Sequence, residues 1–261
     1  MNNLLEIEKL TISTANGKLL VDNSSFEIFP GEVIGIVGES GSGKTLTGKA
    51  LVNAVPPNLK VNYHRYNFLG HDMQQLSKEE KTKLIAQEIG FIPQNTGAFL
   101  HPLLKIKNQI IDAYCYHLKQ SKQQAYHKAE EILEAIGFTN PQHILNSYPW
   151  ELSGGMKQRV NIAIAMMLDP KLLIADEPTT ALDSVTQKQV ISLLQQINQE
   201  KNISIIFISH DLRLVKYFAH RILVMSLGKI VEEGQTKSIF TNPQHEYTKT
   251  LLKAIPHLPS H

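Results

Sequence analysis

In this chain of 261 residues, 26 Lys plus Arg stand against 24 Asp plus Glu, a net charge of +2, which excludes a whole-chain field for gripping nucleic acid or an acidic membrane. The length suits one α/β domain with a sizeable core and an inserted or appended subdomain. The single cysteine, Cys115, excludes an internal disulfide or a multi-cysteine metal centre made by this chain alone and points to cytosolic life.

The start, MNNLLEIEKL, lacks a basic stretch followed by a long apolar core, so no secretion signal is expected. Leu5 to Ser13 and Leu19 to Ile28, with Asn16-Gly17 between them, read as an antiparallel hairpin at the edge of the sheet. Apolar, β-branched runs follow at Glu32–Val37, Ile89–Ile92, Lys171–Ala175 and Ser204–Ile208. They alternate with longer segments of helical period, the pattern of a mainly parallel sheet wrapped by helices. None of these runs nears the roughly 20 residues of a membrane helix, so any membrane passage belongs to other chains.

From about Asn95 to Glu151 the alternation breaks into helix signals and turn prolines at Pro102, Pro141 and Pro149, which reads as a helical insertion. Its clearest helix starts near Ser121, carries Ala125, Ala129, Ile132, Leu133 and Ile136 on one face, and stops at Gly137. Arg221–Met225 and Lys229–Glu233 flank a Leu227-Gly228 turn as a second hairpin. A partly helical tail follows from Thr236 to Pro256-His257-Leu258-Pro259. The eleven histidines are scattered without paired ligand spacing.

Two motifs carry chemistry. Gly38-Glu39-Ser40-Gly41-Ser42-Gly43-Lys44-Thr45 follows the strand ending at Val37 and satisfies G-x-x-x-x-G-K-[ST]. Its glycines let successive N–H groups face inward, and the following helix adds its positive end, a cradle for phosphate. Lys44 reaches the β- and γ-phosphates, and the Thr45 hydroxyl suits Mg²⁺, which prefers oxygen donors. Lys171 to Glu177 is an apolar strand whose last two residues, Asp176 and Glu177, emerge at the carboxyl edge where α/β ligands sit. Asp176 suits the Mg²⁺ shell; Glu177 suits the base or water-orienting group for in-line attack on the γ-phosphate.

A phosphate loop leaves the task open, and the remaining motifs narrow it. Leu152-Ser153-Gly154-Gly155-Met156-Lys157-Gln158-Arg159 closely resembles the signature of the ABC ATPase family. Ser153 caps a helix there and the glycines bare N–H groups, making a second anion site; the resemblance implies that Ser153, Gly154 and Gly155 serve ATP held by a partner subunit. By the same resemblance, Gln94 in Phe91-Ile92-Pro93-Gln94 is similar to the family's Q-loop glutamine, which touches Mg²⁺ or the attacking water and faces the membrane subunits. Ala181-Leu182-Asp183 is similar to the D-loop, which puts Asp183 at a dimer interface, and His210 is similar to the switch histidine on the γ-phosphate.

The implied fold is the ABC-type phosphate-loop core: a mainly parallel sheet with an antiparallel β edge and an inserted α-helical subdomain. A single domain is expected over 1–261, with a nucleotide-binding core at 1–94 and 158–235, a helical subdomain at 95–157 and a C-terminal extension at 236–261. Within the family, the stretches 38–44, 174–183 and Asn242-Pro243-Gln244-His245-Glu246-Tyr247-Thr248 resemble the oligopeptide, dipeptide and nickel importers. That resemblance implies an ATP- and Mg²⁺-dependent ATPase on the cytoplasmic face of the cell membrane. Its partners would be a second ATPase subunit, in a heterodimer or a homodimer, two transmembrane permease subunits and, indirectly, an external solute-binding protein, with no nucleic acid.

The solute reading is divided between nickel or a metal chelate and small peptides. The compact tail, Gln94-Asn95, Ala98-Phe99 and His101-Pro102 incline it toward nickel or metallophore members, since peptide members often extend further with a cysteine cluster. The rival from another class is a soluble ABC ATPase clamping DNA or ribosomes; the sequence shows no long coiled-coil insertion, fused second nucleotide domain or basic stripe to favour it.

One departure from the family is plain: Thr11 to Leu20 contains no aromatic to stack on adenine, and Thr14 or Ala15 falls near that place. Stacking is worth about 1–3 kcal/mol per base in nucleic-acid binders. The expected outcome is ATP binding that is weak or poorly selective against GTP; a strong ATP preference in parallel affinity measurements contradicts it.

Overall fold

Strands whose residues are apolar on both faces need cover on both sides, and that requirement organises the chain around its parallel strands. The computed structural model describes residues 3–94, 96–180 and 182–254. Asn95 and Ala181, both singled out in the sequence, and Pro256 to Pro259 in the tail lie outside the described residues.

In chain order the elements are β1 (Leu5–Thr14), β2 (Leu19–Ile28), β3 (Val33–Val37), α1 (Lys44–Leu51), β4 (Leu59–Asn62), β5 (Arg65–Phe68), β6 (His71–Asp72), α2 (Lys78–Glu88), β7 (Ile89–Ile92), α3 (Thr96–Phe99), α4 (Ile106–Ile110) and α5 (Asp112–Leu118). Then come α6 (Lys122–Ala135), α7 (Pro141–Asn146), α8 (Gly154–Met166), β8 (Leu172–Asp176), α9 (Ser184–Lys201), β9 (Ser204–Ser209), α10 (Leu212–Phe218), β10 (Arg221–Ser226), β11 (Lys229–Gln235), α11 (Thr236–Thr241) and α12 (Glu246–Lys253). They group into two units, one made of the described residues up to Ser77 and from Ser204 onward, the other of Lys78–Ile203.

In the first unit β3 lies between β10 and β9, parallel to both, with Val37 opposite Ser209 on one side and Val224 on the other. All five residues of β3 and all six of β9 are buried, which is why these strands read as unbroken apolar runs rather than alternating ones. The three strands therefore end at one edge, and the loops leaving that edge carry the phosphate motif and His210. β11 pairs antiparallel with β10.

The first hairpin differs from its sequence reading in placement. Its β1 and β2 pair as expected, but β1 lies inside a second, antiparallel sheet instead of bordering the parallel one. The far side of β1 is shared by β4, opposite Thr11–Thr14, and β5, opposite Leu5–Glu8. Positive φ at Lys9 and Asn23 (both 49°) accompanies the register shift between Ile7 and Leu10, and this bulge divides the strand between two partners. Strands β4 to β6 are short and partly polar, so periodicity did not reveal them.

In the second unit β7 and β8 run parallel, Ile92 opposite Ala175, and the regular elements described between them are all helices joined by loops. Helix α8 packs against β7, α3, α4, α6 and α9, and it runs unbroken across positions 157 and 158. Helix α6 starts as read: Ser121 accepts from the Gln124 N–H at 3.3 Å while the Gln124 side chain accepts from the Ser121 N–H at 3.0 Å. Ala125, Ala129 and Leu133 on its inner face are wholly buried.

The two kinds of contribution in α6 separate by size. Leu133→Ala is expected to cost about 2–5 kcal/mol through the cavity it leaves, and Ser121→Ala about 1 kcal/mol through the lost cap. Denaturant unfolding of both variants checks the order.

Candidate functional site

The phosphate motif leaves β3 through Gly38, at φ 152°, where an added Cβ would lie 2.1 Å from the Met225 carbonyl oxygen and 2.8 Å from Ser42 Oγ. No side chain fits, so the chain turns against β10 only as glycine. Glu39, Ser40 and Gly41 are exposed, whereas Ser42, Gly43 and Lys44 are buried. The Ser42 carbonyl accepts from the Gly228 N–H at 3.1 Å, which ties the loop to the β10–β11 turn. Gly43, at φ 103°, begins α1 without a side-chain cap, so the helix start presents backbone N–H groups and their partial positive charge.

Lys44 is only 4% exposed, and its ammonium donates to the Gly38 carbonyl at 2.9 Å and the Glu39 carbonyl at 2.8 Å. A buried cation at this depth needs such acceptors, because desolvation alone would expel it. Thr45 occupies the first turn of α1 and is half-buried. On the neighbouring strand, Ser209 is the register partner of Val37, so the exposed His210 leaves the sheet beside the start of the loop. Asp211, next to it, caps α10 and is held bidentate by Arg213 at 3.0 and 2.8 Å. Burial pushes the Asp211 carboxyl up, but the Arg213 hydrogen bonds and charge, aided by His210, bring it below the ordinary value.

Within the second unit Gln94 and Glu177 come together. They follow the ends of β7 and β8, and Gln94 Nε2 donates to Glu177 Oε2 at 3.0 Å. The same oxygen accepts from Thr180 Oγ1 at 2.9 Å, a partner the sequence reading missed, although its place three residues on, in a turn closed by the Thr180 N–H to the Glu177 carbonyl, was a usable signal. Glu177 itself sits at φ 47°, a left-handed backbone that a non-glycine residue keeps only where its surroundings hold it. Asp176, one residue earlier, is 1% exposed at the end of β8.

The Ser153–Gly155 segment and Asp183 likewise belong to one packed feature. Ser153 caps α8, its hydroxyl accepting from the Met156 N–H at 3.3 Å. An added Cβ on Gly155 would lie 2.6 Å from Thr186 Cγ2, so glycine there is what lets the starts of α8 and α9 touch. Asp183, read from the sequence only as an interface residue, caps α9: it accepts from the Val185 and Thr186 N–H groups at 3.0 Å each and from Thr186 Oγ1 at 2.6 Å. The Thr186 hydroxyl, then its N–H, hold the Asp183 carboxyl below its ordinary value. Each unit thus presents its own half of the predicted set: 38–45 with His210 in one, Gln94, Asp176, Glu177, Ser153–Gly155 and Asp183 in the other.

The chain is similar to known transport ATP-binding proteins. The family model described as "ABC transporter" matches residues 21–180, and one described as "Oligopeptide/dipeptide transporter, C-terminal region" matches residues 231–261. The dipeptide transport ATP-binding protein DppD of Escherichia coli is 40% identical over 256 residues, covering 97% of this chain and 78% of that protein. The oligopeptide transport ATP-binding protein OppD of Bacillus subtilis is 42% identical over 263 residues, covering 98% and 73%. Among solved structures, the dimeric ATP-binding cassette MJ0796 in a post-hydrolysis state bound to ADP and Pi aligns with a TM-score of 0.77 and 26% identity, over 89% of this chain and 98% of that one. CbiO1 of Clostridium perfringens, part of the cbiONQ transporter complex, aligns with a TM-score of 0.79 and 25% identity, over 93% and 92%.

The Asp183 cap makes stability depend on pH with a definite sign. Its folded pKa is depressed, so its contribution is present above the ordinary value of 3.8 and is lost as pH falls through the lower folded value. Asp183→Asn removes that dependence. In urea unfolding, the gap between wild type and variant is expected to be widest at neutral pH and to narrow under acid.

Proposed function

The chain belongs to the ABC transporter family of ATP-binding proteins, and from that premise we propose that it is the ATP-hydrolysing motor of a peptide importer, acting at the cytoplasmic face of the cell membrane. The observation that carries the reading is the phosphate loop: a glycine turn with a buried, inward-held Lys44 at an uncapped helix start. Such a turn suits the triphosphate of ATP, with Lys44 exchanging its carbonyl partners for β- and γ-phosphate oxygens.

In this reading Thr45, Gln94 and Asp176 hold Mg²⁺, and the fit is chemical: a hydroxyl, a carboxamide and a deeply buried carboxylate offer it oxygen donors. Bound there, the ion would neutralise phosphate charge. Glu177 orients or deprotonates the attacking water, with its carboxylate positioned by Gln94 and Thr180 and its backbone held in an uncommon conformation; His210 contacts the γ-phosphate. Ser153, Gly154 and Gly155 accept the nucleotide of a second ATPase subunit, with Asp183 at that boundary. A heterodimer of ATPases on two permease subunits, fed by an external solute-binding protein, is the proposed assembly, and a homodimer is its alternative. Dimeric cassettes among the structural relatives support pairing.

Among the described residues no helix is long and apolar enough to cross a membrane, which supports assigning the passage to other chains. Dipeptides or oligopeptides are the proposed solutes, because the Escherichia coli and Bacillus subtilis relatives are dipeptide and oligopeptide transport proteins and the C-terminal segment matches their family model. Those names lend nickel no support, and a clamp on DNA or ribosomes is not favoured.

Glu177→Gln tests the whole reading. It removes an interaction needed mainly in the transition state, so ATP binding is expected to persist while hydrolysis falls by about 10²- to 10⁴-fold. Uptake of a labelled dipeptide by cells carrying the variant should stop, with labelled nickel uptake the same with and without the gene. Normal turnover removes Glu177 from its role, and gene-dependent nickel uptake overturns the peptide assignment.

A further inference from the structure

The C-terminal segment reaches back to the phosphate loop. The hydroxyl of Tyr247, on α12, accepts from the backbone N–H of Glu39 at 3.0 Å. That N–H belongs to the peptide unit whose oxygen, the Gly38 carbonyl, accepts from Lys44 at 2.9 Å. One peptide plane at the entrance of the loop is therefore gripped at both ends, by a cation on one side and a phenol on the other.

The backbone that carries Tyr247 is held in turn. The Glu232 carboxylate on β11 accepts from the Gln244 N–H at 2.7 Å and the His245 N–H at 3.0 Å. His245 Nδ1 then caps α12 by accepting from the Tyr247 N–H at 3.1 Å. A strand of the sheet, a turn and a helix start thus hold the backbone from which the Tyr247 hydroxyl reaches the loop.

We propose that Tyr247 is a positioning residue of the phosphate loop, through which the C-terminal segment sets the affinity for nucleotide. The inference rests on the reading of 38–45 as the phosphate site. When Lys44 leaves the Gly38 carbonyl for phosphate, one of the two grips on the 38–39 peptide is lost. Gly38 has no side chain to resist rotation of that peptide, so the remaining grip decides whether the loop keeps its shape. Tyr247 supplies that grip, and the ordering of the loop is complete before nucleotide arrives.

Tyr247→Phe deletes the hydroxyl alone. In titration calorimetry of the full-length chain with Mg-ATP, its Kd is expected to rise about 3- to 10-fold, the worth of one hydrogen bond. The nucleotide-free melting temperature should stay at the wild-type value. In the assembled transporter KM for ATP should rise while kcat at saturation holds. A merely structural tyrosine would do the reverse, lowering the melting temperature and leaving Kd unmoved, and that result overturns the proposal. Glu232→Gln, which loosens the turn before α12, should raise Kd in the same direction by a smaller factor; it keeps the test decisive if Tyr247→Phe fails to fold, and an unchanged Kd there also overturns the inference. Lys44→Ala separates the two levels. If wild type binds ATP, Lys44→Ala abolishes binding and Tyr247→Phe equals wild type, only the role of Tyr247 fails. If wild type binds no ATP, the phosphate-site reading itself fails.

Discussion

Lys44 is a buried ammonium, and the loop and strand ends around it answer to it. Taking a cation out of water is costly unless backbone acceptors replace its hydration, and the Gly38 and Glu39 carbonyls do so only because the chain curls back over the side chain. That curl requires Gly38 pressed against the Met225 carbonyl, β3 and β10 in parallel register beneath it, and the Gly228 N–H fastening the Ser42 carbonyl. Under the proposed reading of 38–45, the arrangement that satisfies the cation also keeps it one exchange of partners away from a phosphate. A binding loop preformed in this way loses little entropy when the ligand arrives.

The second unit solves a different problem, how to hold a carboxylate in a fixed place without fully burying it. Asp176 is inside the strand end and Glu177 turns out of it at positive φ, so successive acidic residues take distinct environments. The cost of the left-handed backbone is offset locally by the hydrogen bonds from Gln94 and Thr180. The starts of α8 and α9 lie against each other with Ser153 and Asp183 as their caps, so two motifs that look independent along the chain are mechanically one. A shift of either helix start is felt by the other.

Residues legible in the sequence were those whose chemistry is local. The strand end at Val37, the Ser121 cap, the apolar face of α6 and the glycine loop each depend on neighbours within a few positions, so spacing and residue type were enough, whereas the run read to Ala175 continues as strand through Asp176. The relation of β1 to β4 and β5 was not legible, because short, partly polar strands gain their stability from a partner far along the chain. Thr180 as a partner of Glu177 and Asp183 as a helix cap lay within reach of local reasoning; the family resemblance drew attention to an interface role instead.

The linear order of amino acids by itself determined the local chemistry: a glycine turn leading into an uncapped helix start, an acidic strand end, and a second helix capped by Ser153. Tertiary structure decided which of these groups touch. Gln94 meets Glu177, Gly155 meets Thr186 and Tyr247 meets Glu39 across separations of 83, 31 and 208 positions. Contacts of that range follow from strand register and helix packing, which are collective properties of the whole core, and no spacing rule along the chain encodes them.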